Sequence, residues 1–391
     1  MSEEKRVKKK IKHLIKLGFK REELTEIEKM YRGEFFNPND QGYKKLLDLS
    51  AKLCHDFSTA VGKMGKNPSI FKIIKTYFYK NSILNKLFPV HKTLSGVGEN
   101  LSVVIGLVDF LGCGFTNRAV TFSPYSLVEC ENYTIFATKI VVGDERPQTN
   151  EKGEIRLNRN RFGKDCWICG GVKIAGGVCI GSRAVVGAGA VVTSDIPDDT
   201  LAVGRVAKPV KKIDKNYQSK KGSALEVDDG FVDEVKAHIR ALGKRAGKEY
   251  IKMLRGEYFN STNLTLGGLY IYTHRLCSEY NDENTTAERK SEILSILFAN
   301  HGKNLKVGKD LFVDILGSTK IGDNVTIGDG VYMSGPVTIG NGVTVGDDTL
   351  MFSTGHSVKA SERRVGFNLK YGLYEFSQSS PIIINDNVTV G

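Results

Sequence analysis

Residues 315–351, I-L-G-S-T-K-I-G-D-N-V-T-I-G-D-G-V-Y-M-S-G-P-V-T-I-G-N-G-V-T-V-G-D-D-T-L-M, set an apolar residue at every sixth position: Ile315, Ile321, Ile327, Met333, Ile339, Val345 and Met351. A helix repeats its apolar face every three to four residues and a half-buried strand every two, so a strict period of six fits neither. It is the pattern of a parallel β-helix. There each hexapeptide makes one flat face, every third face stacks on the first, and the repeating apolar residue fills the prism. Ile168, Ile174, Ile180, Val186 and Val192 show the same spacing earlier in the chain, with Gly181 and Gly187 following two of them. The expected fold is mainly β, with two such coils.

The chain is written twice. Lys29-Met30-Tyr31-Arg32-Gly33-Glu34-Phe35-Phe36-Asn37 returns as Lys252-Met253-Leu254-Arg255-Gly256-Glu257-Tyr258-Phe259-Asn260, and Leu53-Cys54-His55-Asp56-Phe57 returns as Leu276-Cys277-Ser278-Glu279-Tyr280 at the same offset. Each copy opens with a helical segment and passes into six-residue coils. The expected division is a helical segment over 1–95, a first β-helix over 96–215, a polar linker over 216–235, a second helical segment over 236–300 and a second, incomplete β-helix over 301–391.

Composition narrows the function. The 391 residues have ordinary apolar content and hold no run long enough for a membrane span, and Met1-Ser2-Glu3-Glu4 does not open a signal peptide, so the cytoplasm is the expected location. The seven cysteines are odd in number, and Cys166, Cys169 and Cys179 fall inside the six-residue ladder. They read as small coil residues, and C-W-I-C at 166–169 lies in a coil instead of at the strand-to-helix turn that redox chemistry uses. Part of the net charge of +12 comes from Lys5, Arg6, Lys8, Lys9, Lys10, Lys12, Lys16, Lys20 and Arg21. With no aromatic platform beside them, these read as the solvated face of a leader helix, and no nucleic-acid partner is expected.

R-G-E-[FY]-F-N on the first helices, F-A-N-H-G-K-N at 298–304, T-G-H at 354–356, G-A-G-A-V-V-T-S-D-I-P at 187–197 and K-P-V-K-K at 208–212 together resemble the maltose and galactoside O-acetyltransferases. These are hexapeptide-repeat acyltransferases, and the resemblance covers nearly all of 24–215 and 247–391. It implies a left-handed β-helix, a trimer-based homo-oligomer and transfer of acetyl from acetyl-CoA to a hydroxyl of a sugar, with no metal. The matching base is His356. An alcohol is a poor nucleophile at neutral pH, and an imidazole with a pKa near 6.5 can take its proton as the new C–O bond forms.

The resemblance assigns further residues. Arg363, in the irregular stretch after His356, and Asn117 would meet the acceptor, although Asn117 reads equally well as a turn or stacked-coil residue. Trp167, Gly187, Ala188 and Thr193 would lie along the pantetheine, and Lys208 and Lys211 would meet the nucleotide phosphates. The alternative for the small residues is hexapeptide packing, and for the lysines a solvated tail. Ser194 stands where the family often has lysine.

The copies are unequal. Counting along the ladder puts Arg146 where His356 stands, and arginine cannot serve as a general base. No histidine occurs from 92 to 237. Glu129 and Asn117 fall at inward ladder positions. The second copy stops one residue past the match to Ile168 and has Thr389 in place of Trp167. The leading expectation is therefore a site assembled from His356 of one copy and the Trp167–Lys211 coils of another. A non-catalytic scaffold or regulatory homologue, or a fragment of a longer tandem enzyme, are the alternatives.

Overall fold

The computed structural model describes residues 2–60, 70–88, 91–95, 101–102, 108–116, 120–123, 125–131, 134–137, 139–144, 146–214, 229–363, 366–368, 372–374 and 376–391. The chain divides into two compact units, Met1–Tyr217 and Gln218–Gly391. Each holds a helical segment followed by a left-handed parallel β-helix of hexapeptides. Among the described residues no helix is long and apolar enough to cross a membrane.

In the first unit the helical segment is α1 (Glu3–Lys16), α2 (Thr25–Arg32), α3 (Gln41–Thr59) and α4 (Ile70–Leu87), followed by a strand at His91–Ser95, inside the stretch expected to be helical. Val7, Ile11 and Leu14 of α1 recur every three or four residues and are buried, while Lys5, Lys8, Lys9, Lys12 and Lys16 are exposed. Arg6 reaches Glu129 of the β-helix across 2.9 Å. The basic helix is thus packed on the first unit by its apolar side, with those lysines on the solvated face. Glu129 itself is not inward: Val128 and Cys130 fill the prism on either side, and the Glu129 carboxylate also meets Arg159 and Arg161.

The six-residue ladder of this unit is as expected. Ile168 pairs with Val186 and Ile174 with Val192, each eighteen residues apart, and the inward residues are fully buried. One turn of the prism is therefore three hexapeptides. Val142 pairs with Ile174 in the coil before, and a hairpin of Gln148–Thr149 and Ile155–Arg156 leaves the prism between them.

The second unit begins with α5 (Asp229–Ala241), whose start lies inside the stretch expected to be linker, and continues with α6 (Lys248–Leu254), α7 (Leu264–Tyr280) and α8 (Ala287–Leu297). Its prism pairs Val313 with Met333 and Met333 with Met351, Val307 with Ile327 and Ile327 with Val345, and Ile321 with Ile339 and Ile339 with Ile384. Ile315 is not a rung. It is buried with Val235, Tyr250 and Met253 in the core of the helical cap, because two extra residues separate the first coil from the second and Val313 takes the inward place.

Corners are built by Asp and Asn. Asp323 Oδ1 accepts the Lys303 amide at 2.7 Å, Asn341 Oδ1 accepts that of Asp323 at 2.8 Å, and Asp386 Oδ1 accepts that of Asn341 at 2.7 Å. Each side chain satisfies a turn amide that no strand reaches. Asn304, Asn324 and Asn387 take positive φ at these turns, where short polar residues are tolerated.

The duplicated R-G-E-[FY]-F-N segment folds the same way in both units. Gly33 and Gly256 sit at φ +71° and +72° where α2 and α6 end, a left-handed conformation that favours glycine. Glu26 Oε2 accepts the Asn37 amide at 2.7 Å, and Glu249 Oε2 accepts that of Asn260 at 2.6 Å.

Candidate functional site

His356 closes the short strand Thr354–His356, which leaves the prism of the second unit just after the inward Met351. The strand runs antiparallel to Phe376–Ser379, with His356 opposite Ser377, and that strand in turn pairs with Tyr258–Asn260 of the duplicated segment. Ser379 Oγ donates to the Met253 carbonyl, and the Ser380 amide donates to Ser353 O at 2.6 Å. The helical cap thus holds the strand that carries the half-buried His356.

The same topology recurs in the first unit, where Phe36 exchanges two backbone hydrogen bonds of 2.9 Å with Ile155, and Ile155 pairs with Thr149. Phe36 and Phe259 are equivalent, so Thr149 occupies the place of His356. Arg146, expected there from the ladder count, is exposed in the bend before the hairpin. Thr149 stands seven positions after Val142 but His356 only five after Met351, so counting sixes falls short. Threonine is no better a base than arginine.

On one side of the second prism Phe312 lies opposite Tyr332, with Asp314 and Ser334 each two residues on, and in the next coil Leu350 lies opposite Tyr332 and Phe352 opposite Ser334, with Thr354 just beyond. Phe312 and Tyr332 stack with centroids 4.9 Å apart and planes within 8°, and Phe352 follows at 5.2 Å from Tyr332. His274 of α7 extends the file, its ring 4.9 Å from Phe312. Beside the rings runs a polar row. Asp314 Oδ1 accepts from Tyr332 Oη at 3.0 Å, Oδ2 accepts from Ser334 Oγ at 2.6 Å, and Ser334 Oγ meets Thr354 Oγ1. Thr354 and His356 lie two apart on one strand, so their side chains share a face. Sequence reasoning missed this row; its signal is limited to F-V-D and Y-M-S, twenty residues apart, since the next coil is in register at eighteen and Thr354 joins from beyond its rung.

Arg363 is fully buried, and its Nη1 donates to the carbonyls of Ser357, at 3.2 Å, and Val358, which makes it a brace of its own loop. Asn117 lies outside the described residues.

In the first unit, Trp167, Val185, Leu201 and Lys211 form one outward row of a single sheet. Gly187 donates to Ala202 O at 2.8 Å, and a Cβ there would come within 2.7 Å of Cγ1 of the exposed Val203, so a side chain at 187 would have to displace that valine. Lys208 is opposite that Val203 and exposed. Ala188 is also exposed, whereas Thr193 follows Val192 at another corner of the prism. The structure brings Trp167, Gly187, Lys208 and Lys211 to one sheet and its edge. Among the described residues no cluster of His, Cys, Asp or Glu is placed to hold a metal ion.

The family model for the bacterial transferase hexapeptide (six repeats) matches residues 161–194 and 318–351, one segment in each prism. The chain carries the hexapeptide repeat of bacterial transferases twice. Among solved structures, the tandem hexapeptide chain is similar to a maltose O-acetyltransferase from Clostridium difficile 630, at 27% identity over 49% of this chain and 98% of that one, with a TM-score of 0.41. It is also similar to a hexapeptide-repeat acetyltransferase from Vibrio cholerae O1 biovar eltor complexed with acetyl coenzyme A, at 20% identity over 49% and 100% of the two chains (TM-score 0.39). A galactoside acetyltransferase in complex with coenzyme A matches at 20% identity over 50% and 96% (TM-score 0.37). No curated protein matches the chain.

Proposed function

We propose that the tandem hexapeptide chain is an acetyl-CoA-dependent O-acetyltransferase whose acceptor is a sugar hydroxyl, with a trimer as its working form. The observation that carries the reading is the placement of His356, half-buried on a strand braced by the helical cap and sharing a face with the polar row that ends at Thr354. His356 takes the proton of the acceptor hydroxyl while its oxygen adds to the thioester carbonyl. The tetrahedral intermediate then expels the CoA thiolate, which recovers the proton from the imidazolium. No covalent acyl-enzyme is needed.

The donor's contacts are proposed on the first unit. Exposed Ala188 beside Gly187 and Gly189 leaves backbone open to a pantetheine chain, and the exposed Lys208 and the Lys211 of the Trp167 row supply ammonium groups for phosphate. The test is thiol release from acetyl-CoA by the purified chain against a panel of mono- and disaccharides. Acceptor-dependent release that is lost in His356→Ala supports the reading; no release with any acceptor rejects it. A second reading, a non-catalytic scaffold, is favoured by the threonine at 149, and it predicts oligomer formation without turnover.

A further inference from the structure

We infer that His274 is a positioning residue for His356, acting through Asp314, Ser334 and Thr354. The inference rests on the assignment of His356 as the base. His274 lies on α7, its ring between Tyr270, at 6.1 Å, and Phe312, at 4.9 Å. Its Nε2 is closed off from solvent and makes no hydrogen bond to a described residue. The charge it faces is Asp314 Oδ1, 3.7 Å away, beyond hydrogen-bond length but within ion-pair reach.

Asp314 sets the direction of every proton in the row. A carboxylate can only accept, so Ser334 gives its single hydroxyl proton to Oδ2. Ser334 then has only lone pairs left for Thr354, and the contact between their oxygens requires Thr354 to be the donor. The remaining lone pairs of Thr354 Oγ1 are turned outward, on the face it shares with His356. An acceptor there favours an imidazole N–H or an alcohol proton over a bare nitrogen lone pair. His274 lies against Asp314 Oδ1 at 3.7 Å and, with the Tyr332 hydroxyl, fixes the carboxylate's orientation, which keeps this polarity. It touches no reacting atom in this arrangement; it orients the group that orients the base.

Asp314→Asn keeps the row's shape but removes the acceptor-only carboxylate, so Ser334 is no longer obliged to donate to it and Thr354 is released to pass its proton toward His356. The experiment is a pH titration of the histidine Cε1–H resonances of the full chain by NMR. There are seven histidines, and the His356 signal is identified by its loss in His356→Ala. Asp314→Asn and His274→Phe are expected to lower the His356 midpoint by about half a pH unit or more, with His274→Gln, which keeps a donor, nearer the parent. An unchanged midpoint in both Asp314→Asn and His274→Phe overturns the inference, even if both melt earlier, since a purely structural role lowers the melting temperature and leaves His356 alone. Should His274→Phe fail to fold, the isosteric Asp314→Asn decides.

The readout does not need turnover. A parent that releases no thiol but shows the shift retains the positioning role and loses the proposed reaction. An active parent whose midpoint stays fixed retains the reaction and loses the positioning role. Where the parent is active, His274→Phe is also expected to lower kcat about tenfold with donor affinity unchanged.

Discussion

Ser334 donates its hydroxyl proton to Asp314 Oδ2 across 2.6 Å, from one coil of the second prism to the next. Both side chains are largely withdrawn from solvent, with Ser334 at 3% and the Asp314 side chain at 14% exposure. Ser334→Ala strips one donor from a carboxylate that water reaches poorly and leaves Thr354 without that acceptor. The expected loss is about 1–3 kcal/mol of stability, read by urea unfolding. A neutral result would mean that water replaces Ser334 at Asp314.

The register of the second prism is tested by two neighbouring isoleucines. Ile339 is buried in the core, whereas Ile383 is 51% exposed on the adjoining coil. Ile339→Ala should cost about 2–5 kcal/mol through lost burial and the cavity left behind. Ile383→Ala should stay within about 0.5 kcal/mol of the parent. Equal losses would contradict the inward ladder.

Glycine after the rung is required where coils stack closely. A Cβ on Gly340 would meet Asp386 Oδ1 at 2.4 Å, the Asp386 amide nitrogen at 2.7 Å and the Asn385 carbonyl carbon at 2.8 Å, against the corner ladder itself. Gly340→Ala is expected to destabilise by about 1–3 kcal/mol. Gly267, on α7, has open space around its missing Cβ, so Gly267→Ala should instead stabilise by up to about 1 kcal/mol. Chemical denaturation of the two variants side by side checks the contrast.

Acid should loosen the last coils of the first unit. Arg183 donates to both oxygens of Asp199, at 2.6 Å each, and this pairing holds the Asp199 carboxyl below its ordinary value of 3.8. A depressed folded pKa means that the contribution is complete above the unfolded value and is lost as pH falls from about 4 through the lower folded value. The pair is partly exposed, so its worth is modest, about 0.5 kcal/mol. Melting temperature followed from pH 6 to pH 3 should therefore fall less in Asp199→Asn than in the parent.

Much of this architecture is readable in the sequence because an inward rung is chosen by one physical demand, filling a narrow prism, and that demand repeats every six residues. Ile168 through Val192 obey it. Ile315 keeps the count but not the place, since the two extra residues before the second coil send it to the helical cap and give the rung to Val313. Counting fails at Arg146 for the same reason: a hairpin of different length shifts the match to His356 onto Thr149, which only sheet pairing reveals. The glycine of R-G-E is legible in both copies because a left-handed helix end requires it. The outward row of Asp314, Ser334 and Thr354 is not legible as a unit. Its members are twenty residues apart and meet only when coils stack. Arg363 is assigned to the acceptor by the resemblance, yet the loop folds it inward onto the carbonyls of Ser357 and Val358.

The central claim is that His356 is the base of an acyl transfer, and the most direct measurement is acceptor-dependent thiol release from acetyl-CoA by the parent and by His356→Ala, with acetyl-CoA binding measured on both by calorimetry. The account predicts a fall in kcat of about 100-fold or more with donor affinity within about twofold of the parent. Undiminished release in His356→Ala, with the variant folded and binding donor, would contradict it.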